Sequence, residues 1–258
     1  MRSFQLSNEE IKELAARHRT PFLVLSVDKV EENYFFLRQH LSRAKICYAM
    51  KANPDHRILK RLASLGSCFD VASAGEIEAL HALGIAGSRM IYANPVKDLS
   101  GLEAARKCGV RRFTFDDRTE IPKIAKFVPG ADVLVRIQVK NAKALVDLNT
   151  KFGAHPDDAI PLLKAAKAAG LRPVGICFHV GSQSLSKAAY EEALLYVHDL
   201  FSKAKAAGLP LTDLDIGGGF PIPSANPIPG EPESGAHGAQ AHLDVDVAAM
   251  LEGINRQL

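Results

Sequence analysis

The chain has 258 residues, 47% of them hydrophobic and 24% charged, with 19 Gly, 14 Pro and no Trp, which excludes collagen, mucin and global disorder. Its 32 Lys and Arg exceed its 29 Asp and Glu by only three and are scattered, which argues against a nucleic-acid partner. The N-terminus turns polar at Ser7-Asn8-Glu9-Glu10, and no window approaches the roughly 18 uninterrupted apolar residues of a membrane span, so the expectation is a soluble, cytoplasmic protein without a signal peptide.

Ser7, with Glu10 three residues on, predicts a capped helix to about His18, followed by a short strand at Phe22-Leu23-Val24-Leu25 and a helix from near Asp28. Apolar runs then begin at Ile46, Cys68, Met90 and Arg112, each 22 residues after the last. Between them Ser73 with Glu76, Ser100 with Glu103, and Asp117 with Glu120 each pair a capping side chain with Glu three positions on. Three more runs cover 132–137, 173–179 and 211–216, with helix-like stretches at 156–169, 187–207 and 243–256. Seven strand–helix units predict a parallel sheet, either open and doubly wound or curled toward an eight-stranded barrel. Residues 221–242 hold five Pro and three Gly and read as a long loop. Cys47, Cys68, Cys108 and Cys177 stand far apart in sequence and read as reduced structural thiols, not as a metal site.

Residues two apart on a strand share a face. Lys51 therefore groups with Ala49 and Cys47, Asp70 with Cys68 and Ala72, and His179 with Cys177 and Gly175, whereas Tyr48, Met50, Phe69, Val71, Ile176 and Phe178 turn the other way, under helices. Lys51, Asp70 and His179 fall at the C-terminal ends of their strands, where parallel α/β folds place ligands. A lysine there is a nucleophile toward carbonyls or a salt-bridged rim residue, His179 a functional ring or a core histidine, and Asp70 a functional acid, a helix cap or an ion-pair partner. Gly217-Gly218-Gly219, after the last strand, is an anion cradle or a plain turn, and Ser182 stands where it could donate to the same anion. Together these groups suit a phosphate-bearing aldehyde such as pyridoxal phosphate.

Tyr48 to Pro54, Phe69 to Ser73, Ile91 to Pro95, Lys151-Phe152-Gly153, His179 to Gln183 and Gly217 to Pro221 occur in this order. Together they resemble the pyridoxal-phosphate-dependent ornithine, diaminopimelate and arginine decarboxylases, over about residues 20 to 221. The resemblance implies a TIM-like (β/α)8 barrel of the alanine-racemase type, here with about seven of its eight units. The cofactor it implies is pyridoxal 5'-phosphate, with Lys51 and His179 catalytic. Lys51 would join the cofactor aldehyde, His179 would stack on its ring, and Ser182, Gly217, Gly218 and Gly219 would bind its phosphate. Arg136 would flank the cofactor, and Asp70 and Glu76 would support lysine and ring.

Tyr92-Ala93-Asn94-Pro95 with Lys97, and Phe178 to Gln183, resemble the ornithine and lysine branch more than the diaminopimelate branch. The implied reaction is therefore decarboxylation of a basic amino acid, L-ornithine to putrescine in polyamine synthesis, with lysine or meso-diaminopimelate as alternatives. The family continues into an eighth strand, with a Glu-Pro-Gly-Arg motif, and a C-terminal β-domain, neither of which lies in this sequence, and its full-length form is a homodimer. The expected division is an N-terminal helix and short strand at 1–25, the cofactor-binding barrel at 26–220, the loop at 221–242 and a last barrel helix at 243–258. A second reading is a catalytically incomplete homologue that holds the cofactor or pairs with a full-length subunit.

Overall fold

Strand and helix alternate in the computed structural model, which describes residues 6–139, 151–184, 186–221 and 246–258. Helix α1 (Asn8–Arg17) begins at Ser7, whose hydroxyl accepts from the Glu10 N–H while the Glu10 carboxylate accepts from the Ser7 N–H, the predicted capping box. Helix α2 (Val27–His40) starts at Ser26. Between these helices Phe22–Leu25 forms no strand, contrary to expectation: a strand needs a neighbour to take its N–H and C=O groups, and this segment lies open, with Leu23 94% exposed.

From there the chain runs β1 (Cys47–Ala49), α3 (His56–Ser64), β2 (Cys68–Val71), α4 (Ala74–Ala82), β3 (Met90–Tyr92), α5 (Leu99–Cys108), β4 (Arg112–Phe115), α6 (Glu120–Phe127), β5 (Asp132–Arg136), α7 (Ala159–Ala168), β6 (Arg172–Cys177), α8 (Lys187–Ala206), β7 (Asp213–Asp215) and α9 (Val247–Gln257). The seven strands pair in sequence order, all parallel, as the strand–helix repeat predicts. Of three predicted caps, Ser73 holds its place on α4. Asp98, not Ser100, caps α5, and Asp117 accepts from the N–H of Thr119 in a turn before α6 instead of capping the helix. The predicted loop at 221–242 lies, apart from Pro221, outside the described residues. No described helix is long and apolar enough to cross a membrane.

Alternation divides the apolar residues into two bodies. Phe69, Val71, Phe113, Phe115, Val133, Val135, Ile176 and Phe178 are buried between sheet and helices in one large core, joined by Met50. Ile91, Leu134, Val174 and Cys177 form a separate small cluster on the opposite, inner face, as a curled sheet requires. Among the described residues β1 and β7 are the two edges of the sheet. Helix α9 packs against both α8 and α2, with Glu252 Oε1 3.2 Å from His40 Nδ1 and the Asn255 side-chain oxygen accepting from the Arg43 N–H at 3.0 Å. The helical layer therefore continues from α8 to α2 where the strands do not meet.

Candidate active site

The predicted site residues come from the C-terminal ends of β1, β2, β5, β6 and β7. Alternation stops earlier than expected at the first of these. β1 ends at Ala49, and Lys51 sits in a 3-10 turn over Met50–Ala52, with Met50 1% exposed beneath it and Lys51 itself exposed. Its positive charge nonetheless acts on both expected neighbours, Asp70 and His179, and lowers the pKa of each.

Asp70 pairs in register with Ala49 on one side and Ile91 on the other. Its carboxyl is pushed up to about 7, first by burial and then by the carboxylate of Asp215, with Lys51 opposing and Glu76 adding to the rise before Arg136 opposes it in turn. Glu76, in the first turn of α4, accepts from the Ala72 N–H at 2.5 Å, which fixes its carboxylate over the end of β2. Arg136 closes β5, with its guanidinium 5.1 Å from the centre of the Phe152 ring. Beyond Arg136, Gly153 donates its N–H to Asp116 at 2.7 Å, which ties the Lys151-Phe152-Gly153 motif to the end of β4.

His179 lies two residues past β6. Burial, then the charges of Arg136 and Lys51, hold its pKa down to about 4, so the ring is neutral at physiological pH. Its Nδ1 accepts from the Gly181 N–H at 2.9 Å, which assigns the ring proton to Nε2. Ser182 follows at the rim, half-buried.

The glycine bend follows β7 directly and packs on this ring. Gly217 has φ +66° and Gly219 φ +92°, both in the left-handed region. A Cβ on Gly217 would stand 2.6 Å from the Phe178 carbonyl oxygen, and one on Gly219 2.0 Å from the Gly181 carbonyl oxygen and 3.2 Å from His179 Cε1. Gly218 opens onto free space. Positions 217 and 219 are therefore closed to a side chain, whereas position 218 is open.

Three groups lie outside the predicted set. Asp215, on β7 opposite Cys177, accepts from the Gly217 N–H at 2.8 Å, and its own pKa is raised, first by burial, against the lowering effect of that bond. Asp213 and Asp215 alternate in a strand running into three glycines, a sequence signal that could have singled it out. Tyr190 of α8 reaches the same bend from the helical layer; as an aromatic on an amphipathic helix it carries no signal distinguishing it from core. Cys47 and Cys68, far apart in sequence, are register partners. A thiol–thiol hydrogen bond raises the pKa of Cys47 and lowers that of Cys68 to about 6, although both remain free cysteines.

The family model described as pyridoxal-dependent decarboxylase, pyridoxal binding domain, matches residues 27–243. The chain is 63% identical over 258 residues to a lysine/ornithine decarboxylase of Selenomonas ruminantium, covering 100% of this chain and 62% of that protein. It is 41% identical over 202 residues to a probable ornithine decarboxylase of Dictyostelium discoideum, covering 78% of this chain and 44% of the relative. A crystal structure of SrLDC in complex with PLP and cadaverine superposes with a TM-score of 0.89 at 61% identity, over 100% of this chain and 61% of that one. The chain thus spans less than two thirds of the length of the curated relatives it matches.

Proposed function

The chain belongs to the pyridoxal-dependent decarboxylase family, and we propose that it holds pyridoxal 5'-phosphate in the mouth of its curled sheet and removes the α-carboxylate of a basic amino acid. One observation carries this reading: an exposed lysine amine whose charge reaches Asp70 and His179, with the imidazole packed on a glycine bend whose positions 217 and 219 admit no side chain. The donor set fits the group. Lys51 offers an amine for an aldehyde, the neutral His179 ring offers a flat face for an aromatic ring, and Ser182 with Gly217, Gly218 and Gly219 offers hydroxyl and backbone donors for a phosphate.

When bound, the cofactor supplies the electron sink that stabilises the charge left at Cα as carbon dioxide departs. The chain's own residues set the conditions. Arg136 and the glycine bend bring positive potential to the mouth and so favour an anionic ligand. Neutral His179 presents a ring without adding a third charge beside Lys51 and Arg136, and this keeps it compatible with a cationic neighbour. Asp70, with its pKa near 7, is poised to hold or release a proton at a carboxylate oxygen close to the amine, with Glu76 beside it. Lys51 is placed to accept or return a proton at Nζ.

Ornithine, giving putrescine, is the proposed substrate, supported by the branch-type motifs at Tyr92 to Lys97 and Phe178 to Gln183 and by the ornithine decarboxylase relatives; lysine is the second choice. A homodimer is proposed for the full-length form. Titrating pyridoxal phosphate into the folded chain should produce a cofactor absorbance band that Lys51→Ala removes, and carbon dioxide release by the full-length protein should rank ornithine over lysine and both over meso-diaminopimelate. Folded protein that takes up no cofactor would overturn the reading; a preference for lysine would correct the substrate alone.

A further inference from the structure

We propose that Asp215 and Tyr190 are positioning residues that clamp the Gly217–Gly219 bend from its two sides, aiming its backbone N–H groups at the phosphate of the ligand. The inference rests on the cofactor reading above but concerns groups that act through the bend.

From the strand side, Asp215 Oδ1 accepts from the Gly217 N–H at 2.8 Å, an Asx turn that holds Gly217 at φ +66°, while the Asp215 carbonyl accepts from the Phe178 N–H at 3.0 Å. From the helical layer, the Tyr190 hydroxyl donates to the Gly218 carbonyl at 2.9 Å. The ring of Tyr190, fully buried, stacks on Phe220 with centroids 5.3 Å apart and planes at 15°, so the hydroxyl has a fixed origin. A third bond, from the Ser184 N–H to the Gly219 carbonyl at 2.8 Å, completes the frame.

Peptide planarity supplies the consequence. In a trans peptide the C=O of one residue and the N–H of the next point in opposite directions. Drawing the Gly218 carbonyl toward Tyr190 therefore turns the Gly219 N–H away from the helical layer, and none of the three frame bonds uses the N–H of Gly218 or Gly219. Without the tyrosine hydroxyl the Gly218–Gly219 peptide is free to rotate, since glycine on both sides sets little steric barrier.

The test compares pyridoxal 5'-phosphate with pyridoxal, which has the same aldehyde and ring but no phosphate, by absorbance titration of the folded chain. Asp215→Ala should weaken the phosphate ester by about tenfold and Tyr190→Phe by about threefold, the scale of one charge-assisted and one neutral hydrogen bond. Pyridoxal affinity should stay within about twofold in Tyr190→Phe; Asp215→Ala also removes a charge that acts on Asp70, so there the reading is the ratio of the two affinities. Asp215→Asn, which keeps an acceptor oxygen for Gly217, should recover most of the loss. An unchanged ratio of the two affinities in both variants overturns the proposal. If Asp215→Ala does not fold, Tyr190→Phe, which keeps the ring and its stack, decides alone. If the unsubstituted chain takes up neither aldehyde, the cofactor reading itself fails and takes this inference with it.

Discussion

Asp70 and His179 face the same mouth and are displaced in opposite directions, the acid up to about 7 and the imidazole down to about 4. Both shifts arise mainly because burial disfavours the charged form, and their effects on stability oppose each other. Stability from Asp70 is present at low pH, where its protonated form is the one the fold prefers, and is lost as pH rises from the unfolded value of about 4 through 7. The His179 contribution has the other sign: present above the unfolded value of about 6.5, it is lost as pH falls toward 4. Across the shared interval the two slopes partly cancel. Asp70→Asn should leave the imidazole term alone, so denaturant midpoints measured at pH 5, 6 and 7 should fall more steeply on acidification than in the unsubstituted chain. An equal or shallower fall would show that the Asp70 carboxyl is not raised in the folded chain.

At the scale of elements, the loop after β3 shows how tightly the barrel's rim is tied. Lys97 is 2% exposed, and its ammonium donates to the carbonyls of Asn94 (2.9 Å), Pro95 (2.8 Å) and Thr114 (2.5 Å). It stands 3.7 Å from the buried Glu120 carboxylate, which also pairs with Lys123 at 2.5 Å. One side chain thus joins the exit of β3, the interior of β4 and the first turn of α6. Lys97→Met fills the volume but leaves three carbonyls and part of a carboxylate without their donor, and should cost about 3 kcal/mol in chemical denaturation. Adding Glu120→Gln should return part of it. The same loop marks the limit of what could be read from residue order. The 22-residue spacing and the 2-versus-3.6 periodicity made β1 to β4 and their helices legible, because those signals are local. Glu120 read as a cap partner for Asp117, whereas it is a buried ion-pair partner of a lysine 23 positions away, a contact that only the packed sheet creates. Asp70, His179 and the glycines could be picked out because a strand end imposes position and face together, and Asp215 carried a signal in its alternation with Asp213 ahead of the glycines; the part played by Tyr190 follows from a hydrogen bond that no spacing encodes.

On the scale of the molecule, the strand order leaves β1 and β7 as edges among the described residues while α9 bridges α8 and α2 outside them. Edge strands expose one row of backbone groups to water, so amide hydrogen exchange should be fastest in Cys47–Ala49 and Asp213–Asp215 and slowest in Val133–Val135, flanked on both sides. Uniform protection over all seven strands would mean that the edges find partners in solution. The predicted strand at Phe22–Leu25 belongs to the same lesson: apolar alternation can propose an extended segment, but pairing requires a second segment in reach.

The two edges carry the two halves of the proposed ligand site, since Lys51 lies two residues past β1 and Gly217–Gly219 begin two residues past β7. A small molecule bonded to the amine at one end and seated by its anion on the glycines at the other would span the seam like a rivet, drawing together two margins that stand apart among the described residues. Occupancy and mechanical closure would then be one event, and the rigidity of the whole ring would be borrowed from a guest of a few dozen atoms.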